Sequence, residues 1–400
     1  MRSVVLFASL SILGCAAILA QYTGRNNGQN KGKRVSPPQP SIAEKTSGVV
    51  NPATAAAVEK GARWLASVQG SDGGWGQDGG EASNVRQGVS LESKGNDVAN
   101  TALAALALLR AGDKYRPNVE RAVDFIMQRV ESSPATGLAI TNVAQTQVQR
   151  KLGPFIDTFV ATMLLAKVDG TFNKATNARV RSGLEKCVAK IEKNQTKDGS
   201  WNVGGGWAPL LGTSLASRSL DEAQKKGVAV NGAVLARADA YTLENQKGLS
   251  AGRGVGPVSS SGTGAADGIA SASESVVVVS SAAGVALYQD AQALEQLTRT
   301  PESREKNSKQ IAAINRKLED SKFVEGYGSI GGEEFFSYLN ISDGLKRSGG
   351  KEWKAWYSKI TEKILKLQND DGTWAGHHCI TGRCAVTSAA ILNLTSDSGN

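Results

Sequence analysis

From Asn51 onward the chain alternates two helical patterns. In the first, apolar residues recur every three or four positions and charges occupy the opposite face, over residues 53–69, 117–131, 178–195, 232–246, 303–319 and 351–368. In the second, Ala, Ser, Val and Leu dominate and charges are few, over 97–111, 155–167, 212–225, 273–291, 333–346 and 382–394. A helix that is apolar nearly all round is buried on all sides, whereas an amphipathic helix turns its charged face to water. Strict alternation therefore predicts six outer–inner helix pairs. They repeat at roughly 50 to 70 residues, the spacing of a repeat architecture. Six hairpins can close into a ring, which removes the open ends that a solenoid must cap. The expected fold is all-α, an (α/α)6 toroid in a single domain over residues 51–396, and a monomer.

Three of the outer segments end in the same pattern. Gln69 to Trp75, Gln195 to Trp201 and Gln368 to Trp374 each read Gln-x3-Gly-x-Trp, with Asp-Gly at the centre. Asp-Gly is turn chemistry, because glycine adopts a left-handed backbone shape that other residues avoid. Gln69, Gln195 and Gln368 are expected to bond carbonyls freed at the helix ends, with Trp75, Trp201 and Trp374 covering the loops. Together with Gly73, Gly199 and Gly372 they are read as staples between outer helices, not as catalytic groups.

The first copy, with Lys60-Gly61 and Trp64-Leu65 ahead of Gln69, Gly73 and Trp75, resembles the QW repeat of squalene–hopene cyclases and protein prenyltransferase β subunits. The resemblance covers about residues 52–396. The stretch from Gly331-Gly332-Glu333-Glu334-Phe335 through His377-His378-Cys379 is similar to exported bacterial proteins with prenyltransferase/squalene-oxidase repeats. The resemblance implies a terpenoid-cyclase-like toroid, but a fold does not fix a function. The acid motif of the cyclases, Asp-x-Asp-Asp, does not occur in the chain, and Asp370-Asp371 belongs to a Gln–Trp turn. Rings that would stabilise carbocations are few on the inner helices: Phe155, Phe159, Tyr288, Phe335, Phe336 and Tyr338 are most of them. The Asp-x-Cys zinc pair of prenyltransferases is also missing. Its nearest imitation, Glu185-Lys186-Cys187, falls on an outer helix. The thioester segment Gly-Cys-Gly-Glu-Gln, which would point to complement-type domains, is absent too. Glycoside-cleaving (α/α)6 enzymes use two acidic residues, but the Gln–Trp repeats argue against that lineage.

The chain has only two histidines, and they are adjacent. His377, His378, Cys379 and Cys384 fall within eight residues, on the connection into the last inner helix. Imidazole and thiolate suit zinc. A further ligand would come from Glu333, Glu334, Asp157 or Asp97, each near the start of an inner helix and so at one end of the barrel. Two other readings stay open: a Cys379–Cys384 disulfide in an oxidising compartment, or histidines that bond backbone carbonyls and shape the loop. Glu333 and Glu334 suit the positive end of a helix dipole, and as a paired carboxylate they also suit general acid–base work beside His377 and His378. Asp157, Phe155, Phe159 and Phe335 are candidate ligand-lining residues, with Gln149 and Arg150 placed over the mouth by the segment before the second inner helix. Arg150-Lys151 would suit an anionic headgroup or diphosphate. The connections 76–96, 132–154 and 248–272 are long, as binding surfaces and lids are.

The amino terminus stands apart. Arg2 and Ser3 precede an apolar run from Val4 to Ala20, which reads as a secretory signal or an uncleaved anchor. Ile12-Leu13-Gly14-Cys15 resembles a lipoprotein cleavage box. Residues 21–50 are polar and rich in Gly, Asn, Ser and Pro, and predict a flexible basic linker. Residues 1–50 carry six of the 46 Lys and Arg but one of the 37 Asp and Glu. The remainder is thus close to neutral and gives no electrostatic case for nucleic-acid binding. The expectation is an exported toroid, in the periplasm or cell envelope with membrane attachment through its N-terminus. It would bind a ligand or protein partner at the barrel mouth. The alternative is an enzyme acting on an isoprenoid or other apolar small molecule, with zinc at His377-His378-Cys379.

Overall fold

The computed structural model describes residues 51–79, 95–201, 209–250, 286–326 and 330–398. The expected signal, the linker, most of the 76–96 and 248–272 connections, and residues 273–285 of the fourth inner helix lie outside these. In chain order the helices are α1 (Pro52–Ser67), α2 (Val98–Ala111), α3 (Arg116–Ser132), α4 (Gln147–Leu152) and α5 (Ile156–Val168). Then follow α6 (Lys174–Lys193), α7 (Pro209–Lys225), α8 (Gly232–Ser250), α9 (Ala286–Leu297) and α10 (Pro301–Lys306). The last are α11 (Ser308–Glu319), α12 (Ser321–Val324), α13 (Gly332–Ser348), α14 (Gly350–Lys366) and α15 (Arg383–Leu394).

The helices start where the side chains can satisfy unpaired N–H groups. Asn51 accepts from Ala53 N at 3.0 Å with Pro52 in the first turn, Asp97 caps α2 through Asn100 N, and Asn173 caps α6 through Thr176 N. The inner helices α2, α5, α7, α9, α13 and α15 each pack on the next, and α15 packs back on α2. That contact closes the ring. The outer helices lie between neighbouring inner ones, as α6 does against α5 and α7. Every residue from Val98 to Leu108 in α2 is buried, whereas α3 buries only the stripe Val119, Ala122, Val123, Phe125, Ile126, Met127 and Val130. This is the difference that the two sequence patterns encode.

Two local differences from expectation have clear causes. The fifth outer segment is broken at Asn307, whose Nδ2 donates to Ser303 O at 2.8 Å and ends α10. The connection 132–154 holds a helix, α4, started by a capping box in which Thr146 and Gln149 bond each other's backbone N–H.

The Gln–Trp motifs join outer helices in one repeated geometry. Each glutamine Nε2 donates twice: to the glycine carbonyl of its own motif and to a carbonyl near the start of the following outer helix. For Gln69 these are Gly73 O (2.8 Å) and Asn118 O (3.0 Å). For Gln195 they are Gly199 O and Val234 O, both 2.9 Å. For Gln368 they are Gly372 O and Ala57 O, both 2.9 Å. The carbonyls of the preceding helix go to the indoles, with Trp75 Nε1 on Leu65 O, Trp201 Nε1 on Ile191 O and Trp374 Nε1 on Ile364 O at 2.7–2.8 Å. The staple is as expected, but it is tryptophan that bonds the preceding helix. Gly199 shows why glycine is required: its φ is +92°, and a Cβ would lie 2.2 Å from Arg237 O on α8.

The third motif ties α14 to α1, partners 311 residues apart in sequence. Replacing Gln368 by Ala removes both of its bonds and leaves two carbonyls to find water. We predict a loss of about 1–3 kcal/mol in urea-unfolding free energy for Gln368→Ala.

Candidate functional site

The N-terminal ends of the inner helices place four buried carboxylates, Asp97, Asp157, Glu333 and Glu334, at one face of the ring. The 376–382 connection is pinned against the start of α13 by two backbone bonds, His377 N to Ile330 O at 2.9 Å and Gly332 N to Ile380 O at 3.0 Å. The approach is so close that a Cβ on Gly331 would lie 2.7 Å from His378 Nδ1, and one on Gly332 would lie 2.6 Å from Ile380 Cβ. The two glycines therefore let His378 and Cys379 meet the first turn of α13. Cys379 takes a left-handed backbone angle, φ +53°, that non-glycine residues rarely adopt.

Glu333, His378 and Cys379 each present a ligand atom, and these atoms lie within 4.8 Å of one another. Glu333 is fully buried. Its Oε2 accepts from Ile380 N at 3.3 Å, and its Oε1 has no hydrogen-bond partner. Burial raises the Glu333 pKa, with a further push from Glu334. Burial also pushes the Cys379 thiol up to about 12, and the neighbouring Glu333 carboxylate adds to this. Without a cation, the cluster favours its protonated forms. Glu334 acts behind it. It accepts from the Tyr288 hydroxyl at 2.6 Å and from Gly331 N at 2.8 Å, and its Oε2 lies 3.6 Å from His378 Nε2. The capping expected of the acidic pair belongs to Glu334; Glu333 is turned to the loop.

Three expectations are corrected. His377 is exposed and lies outside the cluster, where Glu333 takes the place expected for it. The Cys379–Cys384 disulfide is not formed: both are free thiols, and Cys384 is buried at the start of α15, facing Asp78 and Asp97. The aromatic candidates do not line a common mouth. Phe159 is buried against Trp201 at 6.5 Å, and Phe335 packs on Tyr338 at 6.2 Å. Phe155 lines a separate cleft of roughly 620 Å³ with Arg129, Leu138, Ile140 and Asn194.

The segment before the second inner helix does reach the site, through a residue that sequence reasoning passed over. Gln147 Oε1 accepts from Thr381 N (2.9 Å) and Gly382 N (3.0 Å), and its Nε2 donates to Thr381 Oγ1 at 2.9 Å. Gln149 instead completes the α4 cap and donates to Asp157 Oδ2 at 2.7 Å, while Arg150 bonds Gln145 O. The Thr146-x-x-Gln149 spacing was the available signal that a helix begins here and turns Gln147 elsewhere. Arg383 completes the wall, pairing with Asp78 at 3.3 Å and Asp371 at 3.1 Å.

Asp97 and Asp157 form a second buried acidic pair in this region. Asp97 accepts from Asn100 N and Asn100 Nδ2, both 2.8 Å, and Asp157 accepts from Ala99 N at 3.0 Å, so both serve the start of α2. Burial raises the Asp97 pKa, and the Asp157 carboxylate raises it further; burial raises Asp157 as well. All four oxygens are committed to bonds with the start of α2 or with Gln149, so their work is structural.

A model of the squalene–hopene cyclase C-terminal domain matches residues 42–137, which include α1 to α3. A squalene–hopene cyclase of Bradyrhizobium diazoefficiens is 39% identical over 70 residues, 18% of this chain and 10% of that protein. Among solved structures, the type II terpene cyclase MstE from Scytonema aligns without ligand over 86% of this chain and 98% of its own, at 12% identity and a TM-score of 0.48. A variant of MstE in complex with geranylgeranyl dihydroxybenzoate gives the same identity and TM-score. Over residues 42–137 the chain is similar to the squalene–hopene cyclase C-terminal domain, and its described helices form a closed ring of helical hairpins.

The buried acidic pair gives a pH prediction. Their folded pKa values lie above the unfolded ones, so between the ordinary carboxylate range and neutrality the folded state holds more protons. Stability then falls as pH rises through that window. Asp97→Asn is expected to flatten this fall in urea-unfolding free energies measured from pH 4.5 to 8.

Proposed function

We propose that this toroid is a ligand-binding protein whose barrel mouth holds a divalent ion of the zinc class on Glu333, His378 and Cys379. The observation that carries the reading is the convergence of one carboxylate, one imidazole and one thiol within 4.8 Å, drawn from two segments 45 residues apart in sequence. One oxygen, one nitrogen and one sulfur donor suit zinc, and three protein ligands leave a fourth position for an outside molecule. The buried Oε1 of Glu333, which accepts no hydrogen bond, fits a coordinating role. When bound, such an ion polarises a coordinated water, thiol or carbonyl.

The chain's own residues would do the rest. Glu334 orients the His378 ring, with Tyr288 and Gly331 N holding the carboxylate in place. Gln147 fixes the backbone of Thr381 and Gly382 behind the loop. Residues 4–20 support export as part of the same proposal, with the toroid acting in the periplasm or cell envelope. The missing Asp-x-Asp-Asp motif supports a role other than squalene-type cyclisation.

Elemental analysis of the purified chain should find about one zinc per molecule. His378→Ala and Glu333→Gln should each lose it, and His377→Ala should keep it. Absence of metal from the wild-type protein, or equal loss in His377→Ala, would sink the proposal.

A further inference from the structure

Toward the C-terminal ends of the inner helices the interior of the ring is polar. On α9, Asp290 pairs with Lys317 of outer helix α11 at 2.9 Å, which marks the outward face. Gln292 and Gln296 lie on roughly the opposite face at 3.6 residues per turn, 0% and 3% exposed. Neither side chain makes a hydrogen bond: both Nε2 and both Oε1 atoms are buried without partners.

Arg218 reaches the same region from α7. It is 8% exposed and pairs with Asp343 of α13, which is separated from α7 in the ring by α9, so the pair crosses the interior. A second bond makes the same crossing, from Asn340 Nδ2 to Ser214 Oγ at 3.1 Å. Against the cost of burial, Asp343, Glu222 and Glu295 hold the Arg218 charge, and Arg299 opposes it. Glu295, whose charge acts on Arg218, lies between Gln292 and Gln296 on α9, so the amides share the helix stretch that Arg218 approaches. Arg218 Nε and Nη1 are nevertheless buried with no hydrogen-bond partner.

Two of the carboxylates near Arg218 are committed to other cations. Glu295 pairs with both Arg299 and Arg347, and Glu222 pairs with Lys167 at 2.8 Å. Arg218, Arg299 and Arg347 meet Asp343, Glu295 and Asp239, and what stays unsatisfied among them is a set of buried guanidinium and amide N–H groups. Each buried polar group left without a partner costs about 1–3 kcal/mol, and proteins satisfy such groups with water or a ligand.

We propose that Arg218, Gln292 and Gln296 form a binding site inside the ring for a small molecule bearing a carboxylate or phosphate group. Guanidinium N–H pairs match the geometry of both oxyanions, and the two amides supply further donors. The site is separate from the Glu333–His378–Cys379 cluster at the N-terminal ends, and does not depend on metal there.

Thermal unfolding of the full chain tests this with inorganic phosphate and with succinate, each against chloride at equal ionic strength. At an excess of about a hundredfold over Kd, one of the anions should raise Tm by about 3–6 °C. The double variant Gln292→Leu/Gln296→Leu replaces unsatisfied amides with apolar groups of similar size, so it should fold and lose the anion-dependent rise. Arg218→Gln should lose it as well. No rise with either anion in the wild-type chain overturns the site, and so does a rise that the double variant keeps.

Discussion

Packing of α15 on α2 closes the row of helical hairpins into a ring, and the bond from Gln368 to Ala57 O staples the last outer helix to the first across that seam. The first and second Gln–Trp motifs join helices consecutive among the outer ones, so they would serve an open array equally well. The third joins the last outer helix to the first. Its tryptophan is buried and lies where a Cβ on Gly61 would be, 2.8 Å from a ring carbon. Lys60-Gly61 is thus half of the third staple, as well as the lead-in to the first motif.

Closure brings α13, α15, α2 and the α4 segment to a common rim. Residues distant in sequence meet there: Gln147 with Thr381, Asp78 with Arg383, and Glu333 with Cys379. Backbone proximity makes the cluster. Gly331, Gly332 and Gly376 allow two chain segments to approach more closely than side chains at those positions would permit. The same packing that buries Glu333 also raises its pKa, which disfavours the charged carboxylate there.

The ring itself was legible in the sequence because burial on all sides and burial on one face leave different patterns, and both recur six times. The place of the candidate cluster could be approached from the rarity of histidine and its position before an inner helix. Its membership was less legible. Adjacent residues on a loop point different ways, so His377 turns to solvent while His378 turns inward, and composition does not distinguish them. Glu333 and Glu334 both suit a helix start, yet only the approach of the 376–380 loop decides that Glu334 caps while Glu333 faces Cys379. The disulfide expectation failed for a similar reason. Sequence distance allowed Cys379 to reach Cys384, but the helix start draws one thiol to Asp78 and Asp97 and the loop turns the other to Glu333.

The polar interior was the least visible feature. Gln292, Gln296 and Arg218 sit in inner segments whose overall character is apolar, and no local pattern shows that their polar atoms are buried without hydrogen-bond partners. Both readings, a metal at the mouth and an oxyanion within, rest on closure delivering these residues to one volume. The most direct measurement of the central claim is anomalous X-ray diffraction at the zinc edge from crystals of the purified chain. A single strong peak between Glu333, His378 and Cys379 is the predicted result. No peak there, or a peak on His377 alone, would contradict it.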